Sequence, residues 1–372
     1  MPRLLLMTVD FPPQTGGVAR YLDALATAFR DDVTVVAQAS HDPQIQRTDA
    51  VAGYRVERAR LYGSFFPRWI PMIREFIERR ETYDIALVSH VLPVGTAAWI
   101  ASWLTGKPYV VVVHGLDLVL VQRSRWKQFL ASHILKNASA VVANSHALSK
   151  EVERTYHVSR AVTVYPGVSH AFAGVSRSPR NDHTVRLLTV SRLVPRKGHQ
   201  RLLRVLSDMR RAGRLKDVSY TIIGDGPLRN AIESDIKQLS LESIVTLVTN
   251  ADDRRVMDAY AQADVFLMPT LNDPNDREGF GTVYLEAAAF GVPSIATRLA
   301  GVDEAVLDGQ TGLLVADRDD QALADAIEML VRDPSMRERL GANARERVSK
   351  EFLHKKTFEP LRNILYSREV NC

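Results

Sequence analysis

Short apolar runs, each ending in a glycine-rich or polar loop and followed by a helical stretch, recur along the chain and constrain its fold more than any other feature. Residues 4–9, 33–37, 84–89, 109–113, 139–144 and 162–165 read as such strands, and residues 185–190, 220–223 and 265–269 restart the pattern. Runs this uniformly apolar are buried on both faces, so they predict parallel sheets with helices packed on either side. Between the two series, residues 168–183 lose all periodicity and are rich in Ser, Arg, Pro, Asn and Asp, which marks a linker. A length of 372 residues suffices for two domains, each with its own core. The expected domains are 1–170 and 184–350. Residues 351–366 keep helical spacing through Phe352, Phe358, Leu361 and Leu365, and the stretch 351–372 is expected to cross back to the first domain.

Apolar content of 46% and charged content of 24% are those of a soluble globular protein. The single cysteine, Cys372, leaves no disulfide framework and points to a reducing compartment. The opening apolar run meets Asp10 too soon for a signal peptide, and residues 91–106 are interrupted by Pro93 and Gly95 and are too short to span a bilayer. A cytoplasmic protein is the expectation. The net charge of +5 comes from residues 1–170, the remainder being balanced. Much of it lies in two stretches with aromatics: Phe65-Phe66-Pro67-Arg68-Trp69 with Arg74, Arg79 and Arg80, and Arg123-Ser124-Arg125-Trp126-Lys127 with Phe129 and Lys136. Such stretches suit the surface of an anionic membrane, held peripherally, and they equally suit a solvated helix face. No nucleic-acid-binding motif accompanies the charge.

The chemistry-bearing motifs fall where strands end, the place where ligands bind in parallel sheets. After residues 4–9 comes Gly16-Gly17 and a helical stretch, a phosphate-capable arrangement that in isolation is also an ordinary tight turn. His114-Gly115-Leu116-Asp117 follows the run 109–113; a lone histidine here is often a turn residue, but its place at a strand end favours a functional role. After residues 185–190, Arg192, Lys197 and Gly198 form a cationic clamp fit for a diphosphate, with a solvated charge cluster as the plain alternative. Gly224-Asp225-Gly226-Pro227 follows another strand but lacks the third glycine of a dinucleotide fingerprint. Asp273 and Asp276 lie in a Pro/Asn/Asp loop and read as loop residues rather than metal ligands.

The most specific block is Glu278-Gly-Phe-Gly-Thr-Val-Tyr-Leu-Glu286. Gly279 and Gly281 bare the backbone ahead of a helix, whose amides and positive dipole end make an anion seat. The helix is apolar nearly all round yet carries Glu286, a carboxylate that burial penalises unless something polar meets it. Helical rise across eight residues would separate the two carboxylates by about 12 Å on broadly one side. That length suits a nucleotide-sugar, with sugar hydroxyls on Glu278, diphosphate on the amides and ribose on Glu286. The plain alternative makes Glu278 a dipole-favoured carboxylate and lets Glu286 reach water.

With these motifs in this order, the chain resembles the retaining glycosyltransferases of family 4 (GT4), of the GT-B fold. The resemblance covers nearly all of it. The wording Ser-Arg-Leu-Val-Pro-Arg-Lys-Gly and Val-Tyr-Leu-Glu-Ala is similar to the phosphatidylinositol mannosyltransferase branch. The resemblance implies an α/β protein with two Rossmann-like, doubly wound domains facing a cleft, acceptor on the N-terminal side and donor on the C-terminal side. It implies that Arg192 and Lys197 hold the diphosphate, and that Glu278 with the amides of Phe280, Gly281 and Thr282 holds the sugar. It assigns the ribose to Glu286, a phosphate approach to Gly17 and a donor-side turn to Gly226, and it places His114 against the transferred sugar. The implied reaction moves a hexose from GDP-mannose or a UDP-sugar to a lipid-linked or glycan acceptor, with no metal and no further cofactor. Residues 249–252, Thr-Asn-Ala-Asp, depart from the family's usual glycine where the base would bind, so the base stays open. An epimerase of the same fold and a non-catalytic nucleotide-sugar-binding protein are the alternatives.

Overall fold

The computed structural model describes residues 2–14, 16–159, 161–169, 172, 182–273 and 276–367, so most of the expected linker lies outside the described residues. The chain divides into two compact units, Met1–Gly167 with His354–Cys372, and Val168–Leu353.

The first unit is built on a seven-stranded sheet of β1 (Leu4–Thr8), β2 (Val33–Gln38), β3 (Arg55–Ala59), β4 (Ile85–Ser89), β5 (Tyr109–Val113), β6 (Ala140–Ala143) and β7 (Ala161–Thr163). Its order is β3-β2-β1-β4-β5-β6-β7, every neighbouring pair parallel. The apolar runs explain themselves here. In β5, Val111 and Val113 enter one core cluster while Val110 and Val112 enter the cluster on the opposite face, and β1 divides Leu5 and Met7 from Leu4 and Leu6 in the same way. β3, an edge strand, was not among the apolar runs. Its sequence, Arg-Val-Glu-Arg-Ala, uses polar positions for ion pairs, Arg58 with Asp49 at 2.6 Å and Glu57 with Arg79 at 2.8 Å.

The end of the chain corrects one expectation. Instead of one helix over 351–366, helix Pro334–Glu351 stops, and two short helices follow, His354–Thr357 and Glu359–Tyr366. Phe352 is retained by the second unit, its ring 5.9 Å from that of Phe280 and its carbonyl accepting from the Val168 amide at 2.8 Å. Phe358, Leu361 and Leu365 then join a core cluster of the first unit, where Arg362 donates to the Ala28 carbonyl at 2.7 Å. From His354 onward the segment therefore belongs to the first unit.

The second unit carries six parallel strands: β8 (Val185–Val190), β9 (Val218–Ile223), β10 (Val245–Val248), β11 (Val265–Met268), β12 (Ser294–Thr297) and β13 (Gly312–Val315). Their order, β10-β9-β8-β11-β12-β13, repeats that of the first six strands of the other sheet. In both, the winding reverses direction between the first and fourth strands, β1/β4 and β8/β11. That switch opens a crevice beyond the strand ends. Among the described residues, no helix is long and apolar enough to cross a membrane.

Candidate active site

In the second unit the loops after β8 and β11 converge at the switch point. The first loop turns at Pro195–Lys197 and ends at Gly198, whose φ of 74° is left-handed. A Cβ there would lie 2.4 Å from the Pro269 carbonyl oxygen, so only glycine lets the two loops touch. This contact sets Lys197, 7% exposed, with its Nζ 2.5 Å from Glu278 Oε2 and 3.4 Å from Met268 Sδ. Arg196 reaches the same Glu278 oxygen and lies 2.9 Å from Asp276. Burial works against ionisation of Glu278, but Lys197 and then Arg196 outweigh it and hold the carboxyl at about 2. Burial also lowers the pKa of Lys197, opposed by Glu278.

Two expectations about this cluster change. Arg192, expected with Lys197 to hold a diphosphate, is exposed, without an ion pair among the described residues, and the buried cation beside Lys197 is Arg196. Asp276, read as a plain loop residue, is the second anion on Arg196. Nor does Glu278 lie on the helix. The helix begins at Thr282, behind Gly281 at φ 87°, so helical rise does not measure the separation of the two glutamates. A Cβ on Gly281 would meet Tyr284 at 2.5 Å, and the Tyr284 hydroxyl donates to the Met268 carbonyl at 2.8 Å, fixing the helix start against β11. First-turn amides have no intrahelical acceptor, so the start at Thr282 can receive an anion. Phe280 is buried, packed on Phe352. Glu286, 4% exposed, accepts from the Tyr260 hydroxyl at 2.9 Å, the polar partner its burial demanded.

Gly226 has a structural use on view. Its amide donates to Asp225 at 2.7 Å and a Cβ would come within 2.7 Å of the Leu193 carbonyl oxygen, so the turn packs tightly on the loop that carries Arg192. The same loop is braced by His199, whose Nε2 is 3.0 Å from Ser191 Oγ and whose pKa burial lowers to about 4.

In the first unit, helix Gly17–Ala28 follows the glycine loop, and a Cβ on Gly16 or Gly17 would find open space. Tyr21 of that helix packs edge-on against His114, ring centres 5.4 Å apart, so the helix start and His114 lie near each other. His114 follows directly on β5; its amide donates to Asp117 Oδ1 at 3.1 Å. Burial, then the neighbouring His90, lowers the His114 pKa to about 3, which keeps the imidazole neutral. Sequence reasoning missed His90 and its partner Asp10, 3.3 Å away. The signal was available: His90 directly follows β4 as His114 follows β5. Among the described residues, no group of three or more His, Cys, Asp or Glu is arranged to hold a metal ion.

Residues 15–172 match the sequence pattern described as Glycosyltransferase Family 4, and residues 176–347 match that of glycosyl transferases group 1. The chain belongs to glycosyltransferase family 4. This glycosyltransferase is 29% identical over 368 residues to the GDP-mannose-dependent alpha-(1-6)-phosphatidylinositol monomannoside mannosyltransferase of Mycolicibacterium smegmatis, covering 92% of each chain. It is 26% identical to the N-acetyl-alpha-D-glucosaminyl L-malate synthase of Bacillus anthracis, over 78% of this chain and 76% of that one. Among solved structures, Anabaena HepE in complex with UDP and glucose superposes with a TM-score of 0.81 at 20% identity, covering 98% of this chain and 99% of the other. Its two parallel-sheet domains are of the GT-B fold, as expected.

Proposed function

We propose that this glycosyltransferase is a retaining, metal-independent enzyme that moves a hexose from a nucleotide-sugar to a lipid-linked or glycan acceptor. The observation that carries the reading is the buried Lys197–Glu278–Arg196 cluster at the β8/β11 switch point, beside the glycine-fronted helix start. Lys197, Arg192 and the amides around Gly281 take the diphosphate, Glu278 the sugar and Glu286 the ribose; fixed cations and dipoles stabilise the departing charge where another enzyme would use a metal. The cluster also bears on how a retained configuration would arise. A carboxylate neutralised by two cations is a poor nucleophile, so Glu278 is suited to binding rather than to a covalent intermediate. The bond from the anomeric carbon to the diphosphate oxygen breaks, the acceptor oxygen bonds to that carbon on the same face, and the acceptor proton passes to the leaving phosphate oxygen. GDP-mannose is the first donor to test, since the phosphatidylinositol mannoside relative uses it; UDP-sugars are second.

A peripheral place on an anionic membrane fits such an acceptor. Phe65 and Phe66 are exposed beside Arg68, and Arg125, Trp126, Lys127 and Phe129 are all exposed at the start of helix Arg125–Asn137, with Trp126 and Phe129 stacked at 6.1 Å. The test of the function is turnover of GDP-mannose, UDP-glucose and UDP-N-acetylglucosamine in EDTA. Transfer with retained configuration from one of them supports the reading. Turnover that requires an added divalent ion, or an inverted product, overturns it.

A further inference from the structure

Three neighbouring strands of the first unit, β1, β4 and β5, deliver Asp10, His90 and His114 to one edge of the sheet. His90 is held at φ 75°, ψ 135°, a backbone state that a residue with a side chain adopts only when its surroundings impose it. Two hydrogen bonds impose it here: its amide donates to Val112 O at 3.1 Å, and its carbonyl accepts from the Gly95 amide at 3.2 Å. The result is a ring with both nitrogens engaged. Nε2 is 3.3 Å from Asp10 Oδ2, Nδ1 is 2.9 Å from Ser89 Oγ, and the same Oγ lies 3.4 Å from His114 Nε2. The two imidazole centres are 5.7 Å apart.

We propose that Asp10, His90 and Ser89 form a hydrogen-bonded relay ending on His114 Nε2, and that the proton on His90 decides which tautomer of His114 the site presents. His90 is then a positioning residue. With His90 doubly protonated, Nε2–H donates to Asp10 and Nδ1–H to Ser89 Oγ; the serine hydrogen is left to donate to His114 Nε2, and His114 carries its hydrogen on Nδ1. Loss of the His90 proton reverses the chain. Ser89 then donates to His90 Nδ1, its oxygen accepts from Nε2–H of His114, and His114 Nδ1 becomes an acceptor. No net proton crosses to His114; only the site of its hydrogen moves.

The surroundings shift His90 toward its charged form. Burial opposes it, but Asp10 and Asp117 outweigh burial and raise its pKa above the ordinary value. Asp117 has an Oδ2 with no hydrogen-bond partner among the described residues, and His114 itself is held neutral. Tyr62, beyond β3, and the buried Tyr21 also face the cluster, and Tyr156 lies near Asp117. This inference deepens the proposed function and rests on the reading that His114 stands in the site.

The test is nitrogen-15 NMR of the imidazoles of the full chain, with His114 and His90 assigned by His114→Gln and His90→Asn. His114 is expected in the Nδ1–H tautomer below the titration of His90 and to switch to Nε2–H as the pH rises through it. Ser89→Ala is expected to abolish the switch while His90 still titrates. Asp10→Asn is expected to lower the His90 pKa and move the switch down with it. A His114 signal that keeps one tautomer throughout, or that switches unchanged in Ser89→Ala, overturns the relay. Turnover of GDP-mannose by His114→Ala is a separate readout: undiminished turnover would sink the catalytic reading of His114 and leave the relay to be judged by its NMR signature.

Discussion

Lys197 and Glu278 set most of the chemistry of the donor-side cluster, and their coupling makes single substitutions informative. Removing Lys197 leaves Glu278 with Arg196 alone and takes away the cation proposed to hold the diphosphate. Lys197→Ala is expected to lower kcat by 100-fold or more, on the order of 3 kcal/mol of lost transition-state stabilisation, measured as initial rates at saturating donor. Unchanged turnover would remove Lys197 from the machinery. Glu286→Gln keeps the shape and the acceptor oxygen that Tyr260 needs but loses the charge; a rise in donor KM with a smaller change in kcat is the expected split. The buried neutral histidines impose a pH dependence. His114 and His199 have folded pKa values of about 3 and 4, below the ordinary histidine value, so the unfolded chain binds more protons than the folded one once the pH drops below about 6.5. Stability is expected to fall from there down to about pH 3, and His199→Gln should flatten the decline in Tm between pH 7 and 5. At this scale the sequence was legible in part. Lys197, Glu278, Glu286 and His114 stand out because strand ends and a helix start are visible in the pattern. Arg196 and His90 did not, since their roles depend on which way adjacent side chains turn out of a loop.

Single elements carry the precision of the site. The helix Thr282–Ala289 begins where it does because Gly281 takes a left-handed φ and leaves room for the Tyr284 ring. Gly281→Ala is expected to destabilise the protein by about 1–3 kcal/mol, read as a lower urea midpoint, and to lower turnover more than the loss of folded protein explains. A variant as stable and active as the parent would mean that the helix start tolerates displacement. Strands apolar on both faces, such as β5, were plain in the sequence because burial admits no polar alternation. β3 was not, since an edge strand can spend its positions on Arg and Glu. The rise-per-residue estimate between Glu278 and Glu286 failed for a related reason: a glycine that frees an amide for a ligand also ends the regular geometry on which the estimate relied.

For the whole molecule, two measurements report on function without needing the acceptor. A nucleotide-sugar that binds only the folded chain, supplied at a hundredfold excess over its Kd, adds about 2.7 kcal/mol of stability. The matching donor is therefore expected to raise Tm by several degrees in EDTA while the others do not. Flotation with vesicles of phosphatidylglycerol and phosphatidylcholine at low salt tests the exposed basic-aromatic turn. Trp126→Ala with Phe129→Ala should reduce the floated fraction, and failure of the parent protein to float ends that idea. The architecture was the most legible level of all, because two series of apolar runs separated by an aperiodic stretch admit few arrangements. The route of the chain has a consequence of its own. The second unit enters at Val168 and leaves at Leu353, and these two residues pair as a bridge. Topologically, it is a domain inserted into the first, with its two ends side by side. During synthesis, the first core must wait for Phe358, Leu361 and Leu365, which follow the whole of the inserted domain, so that domain can finish folding before the one that encloses it in sequence.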